Sequence, residues 1–227
     1  MIVSLHIPKT GGTSFYALLR KRFNERLLQS RYWISTSLVK SKKYECIHGH
    51  DINPNHYLPK AVGDDHTTLI TWVRDPLRRA ISHYDFLFRN NPPTRLRHER
   101  PPGTGKHSYF DKSHNVICNE NWSLEKFLMH EDYRNYHLKF FRGAPFLAFD
   151  WVGITEYFDD DCRFFCDRFL CERLLTRVIP KINDSRCVTL TPLSDSFRSE
   201  FMDFHSEDYN IYNKALELRA DRLKQIK

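Results

Sequence analysis

Three short stretches of the chain hold residues whose types and spacing could do chemistry. The first reads His6-Ile7-Pro8-Lys9-Thr10-Gly11-Gly12-Thr13-Ser14-Phe15. Adjacent glycines let the backbone curl and approach an anion closely. The free N–H groups of a helix starting there point at that anion, and Lys9, Thr10, Thr13 and Ser14 add further donors. Lys9 through Ser14, with Gly11 and Gly12 between them, therefore read as a phosphate cradle; the plainer alternative is a strand–turn–helix junction with a capping hydroxyl. A nucleotide-hydrolase loop would place its lysine after the last glycine, whereas Lys9 precedes both. The order is wrong for an ATPase or GTPase.

The second stretch is Thr71-Trp72-Val73-Arg74-Asp75-Pro76-Leu77-Arg78-Arg79-Ala80-Ile81-Ser82-His83-Tyr84. Arg74 falls at a strand tip. Arg79 and Ser82 lie off the apolar helix face formed by Leu77, Ala80, Ile81, Tyr84 and Phe88. Arg74 and Ser82 could together grip one phosphate, the alternative being a solvated basic face. The third stretch is Ile47-His48-Gly49-His50-Asp51. An acceptor hydroxyl gains from a base that titrates near neutral pH, and imidazole fits. His50 is the first candidate and His48 the second. Twelve histidines in the chain leave a surface loop as the alternative, and a metal reading lacks a third ligand at a recognisable spacing.

The elements that must position these groups are legible in outline. Ile2–Ile7 reads as a buried strand, Pro8–Gly12 as a turn, and Thr13 to Phe23 as a helix with Phe15, Leu18, Leu19 and Phe23 on one face. Tyr44–Ile47 and Thr67–Val73 read as strands, the latter stopping at Arg74, with Asp75 as N-cap and Pro76 as first helical residue. Residues 89–118 are basic, rich in proline and poor in apolar side chains, the mark of a long loop or insertion. Helices follow at Ser123–Met129 and Tyr133–Arg142, the latter stopped by Gly143. Phe146–Gly153 reads as a strand, and Asp159–Leu175 and Glu207–Lys224 as amphipathic helices. Strands alternating with helices imply an α/β domain with a mainly parallel sheet, and such sheets bind ligands beyond the carboxyl ends of their strands. All three stretches lie at such ends.

With 227 residues the chain suits a single domain, residues 1–227, and is hardly long enough for two. Hydrophobic residues at 41% and charged residues at 28% are ordinary for a globular protein. No apolar run is long enough for a transmembrane segment. The first residues are too short for a signal-peptide core, which reads as cytoplasmic; a trimmed luminal domain of an anchored enzyme would begin the same way. The cysteines at 162, 166 and 171 read as reduced thiols on a buried helix face, and no paired C-x2-C supports a zinc site. The net charge of +7 calls for an anionic partner. Residues 89–112 lack the aromatics, interleaved with basic residues, that a nucleic-acid surface would want, so no nucleic acid is expected.

Taken in order, these stretches resemble the sulfotransferases that use 3′-phosphoadenosine 5′-phosphosulfate (PAPS), particularly the heparan sulfate 2-O- and 6-O-sulfotransferase branch and its bacterial relatives. Pro8–Phe15 is similar to that family's 5′-phosphosulfate loop. Arg74, Asp75, Pro76, Arg79, Ser82 and Tyr84 match its R-D-P-x-x-R-x-x-S-x-[Y/W] site for the 3′-phosphate. Val152-Gly153-Ile154-Thr155-Glu156-Tyr157-Phe158 and Asp208-Tyr209-Asn210-Ile211-Tyr212 resemble two further segments of it. One departure is His137, in Asn135-Tyr136-His137-Leu138-Lys139, where relatives carry Gln.

The resemblance implies a three-layer, P-loop nucleotide-kinase-like domain, PAPS as donor, 3′-phosphoadenosine 5′-phosphate (PAP) as product, and no required metal. It implies Lys9 and the Gly11–Ser14 amides at the leaving phosphate, Arg74 and Ser82 at the 3′-phosphate, and His50 or His48 as base. The acceptor would be a hydroxyl, with the charge favouring an anionic glycan. A small or lipid-linked hydroxyl is the alternative acceptor, and a nucleotide or small-molecule kinase the alternative activity.

Overall fold

The computed structural model describes residues 1–30, 43–58, 67–90, 122–171 and 193–225. Most of the loop expected at 89–118 and the cysteines at 118 and 187 lie outside them, as does the Phe88 side chain. Among the described residues five strands, β1 (Ile2–Leu5), β2 (Leu27–Ser30), β3 (Cys46–Gly49), β4 (Thr68–Val73) and β5 (Trp151–Ile154), form one all-parallel sheet in the order β2-β3-β1-β4-β5. The helices are α1 (Gly12–Phe23), α2 (Pro76–Asn90), α3 (Leu124–Leu128), α4 (Tyr136–Phe141), α5 (Phe158–Phe165), α6 (Asp195–Phe204) and α7 (Ser206–Gln225).

Alternation along the strands splits the core into two layers. Ile2, Cys46, Ile70, Trp72 and Trp151 pack against Phe15, Leu18, Leu19 and Phe23 of α1 and against Cys162 and Phe165 of α5. Val3, Leu5, Ile47, Leu69, Val73, Val152 and Ile154 face the opposite way. There they meet Leu77, Ala80 and Ile81 of α2, Phe140 and Phe141 of α4, and Ile211 and Ala215 of α7. The result is the expected three-layer α/β arrangement. Trp72 lies beside Gly153 in the β4–β5 register. A Cβ at position 153 would sit 2.6 Å from the Trp72 ring, so the large indole is accommodated only by a glycine on its neighbour.

Several boundaries differ from the sequence expectation. β2 was not foreseen, and neither was α6, which Ser194 caps by accepting from the Phe197 amide at 3.2 Å. The strand expected at Phe146–Gly153 is a 3-10 turn at Phe146–Ala148 followed by β5; Asp150 between them accepts from the Leu69 amide at 2.8 Å and sets where pairing with β4 begins. The helix expected at Tyr133–Arg142 is broken at Asn135, whose φ of 47° is left-handed: a 3-10 turn ends at Tyr133 and the α-helix covers Tyr136–Phe141. α5 runs on into a π-helical turn at Cys166–Leu170 and stops at Cys171. Cys162 and Cys166 are buried as expected, while Cys171, at that left-handed stop, is exposed. Asp75 caps α2 by accepting from the Arg78 amide at 2.8 Å.

Candidate active site

The carboxyl ends of β1, β3, β4 and β5 open onto a cavity of about 710 Å³. Lys9, Gly11, Gly12, Thr13 and Ser14 line one side of it, joined by Arg74 and Ser82 and by His50. Thr155, Glu156, Tyr157, Phe158 and the start of α5 form a facing wall. Residues far apart in sequence meet here because consecutive parallel strands all deliver their ends to one edge of the sheet.

The loop after β1 is shaped around backbone donors. Gly11, the N-cap of α1, has φ 82° and offers no side-chain cap, and no acidic residue occupies the first turn. The first-turn N–H groups of α1 therefore have no built-in carboxylate to neutralise them, which favours an anion there. Lys9 also adopts a left-handed backbone, φ 71°, uncommon for a side-chain-bearing residue. Its ammonium lies 4.3 Å from the centre of the Phe86 ring, and that ring is 46% exposed at the cavity. Thr10 is the exception within the loop. Its side chain is fully buried and its hydroxyl donates to the Ile7 carbonyl at 2.8 Å, so it holds the turn together and its side chain does not line the cavity.

Arg74 leaves the end of β4. Its Nη1 donates to the Lys9 carbonyl at 3.3 Å and its Nε lies 3.9 Å from Glu156 Oε1. Glu156 in turn accepts from the Asp75 amide at 3.2 Å. Burial pushes the Glu156 carboxyl above its ordinary range, against the pull of these backbone donors and of Arg74. On the facing wall Asp160 pairs with Arg163 at 3.4 Å and with Arg219 at 3.7 Å, so its charge is spoken for.

Arg79, placed from sequence off the apolar helix face and within the 3′-phosphate motif, is 1% exposed. Its guanidinium lies 4.3 Å from the Tyr136 ring centre, inside the layer between α2 and α4, and it does not line the cavity. The segment carrying the His137 departure is likewise structural. Asp208 of α7 accepts from the backbone amides of His137 and Leu138 and from His137 Nδ1, at 3.0, 3.2 and 3.0 Å, and so locks α4 to α7.

The two candidate bases separate cleanly. His48 is 2% exposed on β3, with Nδ1 2.9 Å from Ser4 Oγ and with burial driving its pKa down to about 3. It faces the α1 layer and does not line the cavity. His50 does line it, and its Nδ1 lies 2.6 Å from the His6 carbonyl. A carbonyl only accepts, so Nδ1 bears the proton and the neutral ring keeps its lone pair on Nε2. Burial lowers the His50 pKa, opposed by that hydrogen bond and by Asp51, which favours the neutral ring a base needs.

Sequence reasoning missed His6. Its ring stacks on His50, with centroids 4.0 Å apart, and on His48 at 4.9 Å, and it lines the cavity. A Cβ on Gly12 would lie 2.5 Å from His6 Cε1 and closer still to Cδ2 and Nε2. The second glycine of the loop is thus the space the His6 ring fills. The only prior sign was its place at the end of β1, directly before the Pro8-Lys9 turn.

Comparison with known proteins adds one family. The model of the family described as "Sulfotransferase family" matches residues 1–214. No curated protein matches the chain significantly. Among solved structures, mouse sulfotransferase SULT7A1 complexed with PAP is similar at 12% identity and a TM-score of 0.38, over 91% of this chain and 65% of that one. The chain thus spans 65% of the length of that relative.

Proposed function

Because the chain belongs to the sulfotransferase family, we propose that it moves a sulfo group from PAPS to a hydroxyl of an anionic carbohydrate. The observation that carries this reading is the meeting, in one cavity, of the uncapped α1 N-terminus with Lys9, of Arg74 with Ser82, and of a histidine whose Nε2 holds a lone pair. On this reading the 5′-phosphosulfate lies against Lys9 and the Gly12–Ser14 amides, and Arg74 and Ser82 take the 3′-phosphate. His50 Nε2 accepts the acceptor's proton as its oxygen forms a bond to sulfur. The bond from sulfur to the bridging phosphate oxygen breaks in line, and PAP leaves. Lys9 and the helix amides stabilise charge growing on that phosphate, the kind of positioning and electrostatic assistance that dominates group transfers of this geometry. The acceptor class rests on the net charge of +7.

Titrating PAP, adenosine 5′-phosphate, ATP with magnesium, and an oligonucleotide against the same protein tests the donor. PAP should bind tightest. ATP binding as tightly as PAP would favour a kinase instead, and a preference for the oligonucleotide would favour a nucleic-acid module. An acceptor screen with labelled donor then tests the carbohydrate class.

A further inference from the structure

His6 stands between the two halves of the proposed machinery. On one side its ring stacks on His50, with centroids 4.0 Å apart and planes 26° from parallel. On the other, its Nε2–Cδ2 edge lies against Gly12, the first residue of α1, where a Cβ would overlap both ring atoms. The backbone fixes the residue in that place. Its amide donates to the Gly49 carbonyl at 2.8 Å, and its carbonyl accepts from His50 Nδ1 at 2.6 Å. The three stacked histidines differ in what their nitrogens meet. His48 Nδ1 has Ser4 Oγ and His50 Nδ1 has the His6 carbonyl. The ring of His6 has no such partner among the described residues, and it lines the cavity. Burial and the neighbouring His50, His48 and Lys9 hold its pKa well below the ordinary value, so the ring is neutral near pH 7, with one N–H to give. A largely buried donor without a protein partner calls for one from outside the chain.

An in-line displacement sets the acceptor oxygen, the sulfur and the leaving oxygen on one axis. The donor reading puts His50 at the acceptor end, and Lys9 with the α1 amides at the leaving end. A ring that touches His50 on one side and Gly12 on the other flanks the middle of that axis. There the terminal sulfo oxygens stand around the sulfur. We propose that His6 is a further catalytic residue, whose Nε2–H donates a hydrogen bond to an oxygen of the sulfo group being transferred. His6 keeps its proton throughout, no bond to it forms or breaks, and the acceptor's proton goes to His50. The hydrogen bond turns the sulfur toward the acceptor and stabilises charge on the sulfo oxygens. The proposal rests on the donor reading above and adds to it the group that holds the transferred fragment itself.

The test compares His6→Gln with His6→Met, two side chains alike in length and shape. Both lose the stack on His50, and only Gln restores an N–H near the position of Nε2. Affinities for PAPS and for PAP are measured for wild type and both variants, below the lowest of their thermal midpoints and with no acceptor present. PAP lacks the sulfo group, so its affinity should match wild type in both variants. PAPS affinity should fall about tenfold in His6→Met, the scale of one hydrogen bond to a charged group, and His6→Gln should recover most of that loss. A His6→Met protein with the wild-type ratio of the two affinities overturns the proposal. So does a His6→Gln protein as impaired as His6→Met, since the ring and not its N–H would then matter. Equal losses of PAPS and PAP also overturn it, because the contact would be with phosphate or with the fold. If wild type itself binds PAP no better than adenosine 5′-phosphate, the donor reading falls and this proposal with it.

Discussion

Replacing Gly12 with alanine sets two effects of opposite sign against each other. Helix propensity favours alanine over glycine by up to about 1 kcal/mol, and the Gly12 backbone carries no positive φ to forbid it. Against this, the new methyl carbon would meet His6 Cε1 at 2.5 Å, and other ring atoms at less, where carbon–carbon contact wants about 3.5–4.0 Å. Something must move by roughly 1 Å or more. The His6 ring has little room, with His50 stacked on it at 4.0 Å and His48 at 4.9 Å. Overpacking of this kind costs about 1–3 kcal/mol, so destabilisation wins over propensity. The displacement also reaches His50 through the stack, and a misplacement near 1 Å costs on the order of 10²-fold in rate. Gly12→Ala should therefore lower the thermal midpoint and cut kcat about 10²-fold. His6→Ala removes the obstructing ring, so adding Gly12→Ala to it should cost no further stability. A Gly12→Ala protein with wild-type kcat and thermal midpoint refutes the reasoning, and so does a stability loss that persists without the His6 ring.

His50→Ala should lower turnover by roughly 10²- to 10⁴-fold with PAP affinity little changed, whereas His48→Ala should cost stability more than rate. The wild-type rate should rise as His50 loses its proton, with a midpoint below 6.5 because burial lowers its pKa, and His50→Ala should lack that limb. Asp208→Asn tests the α4–α7 lock. Burial would raise the Asp208 pKa, but His137, its backbone amide and Arg79 outweigh that and hold it at about 2 against an ordinary 3.8. A depressed carboxyl contributes stability above its unfolded pKa and loses it as pH falls toward the folded one. The variant should therefore be less stable by about 2–3 kcal/mol at pH 7 and close to wild type near pH 2, measured by denaturant unfolding across that range. An equal deficit at both pH values would mean that the charge is not what holds the helices.

What was legible in the sequence was local. β1, α1 and β4 announce themselves by period and by the turns that end them, and the cavity-lining loops sit at those ends. β2 was not legible, since Leu27-Leu28-Gln29-Ser30 has no alternation of its own and is a strand only because β3 pairs with it. Arg79 was misplaced for a related reason. Periodicity finds the face of α2 that meets the sheet, but cannot see α4 covering a second face, with Tyr136 against the guanidinium. Beyond its place before the Pro8-Lys9 turn, His6 carried no signal, because its neighbours, His48 and His50, arrive more than forty residues away in sequence. His48 lies within β3 and His50 just past its end, a difference that spacing alone does not resolve.

The left-handed backbone of Lys9 has a consequence for anyone improving this protein. A non-glycine residue held at φ 71° stores strain on the order of 1–3 kcal/mol, which glycine would release at little steric cost. Selection for heat resistance alone would therefore be drawn to Lys9→Gly or Lys9→Asn, early and repeatedly. Either change removes the ammonium at the cavity, and on the proposed mechanism it would leave a sturdier, silent protein, so a library ranked by melting temperature would enrich for the loss of what it was meant to preserve.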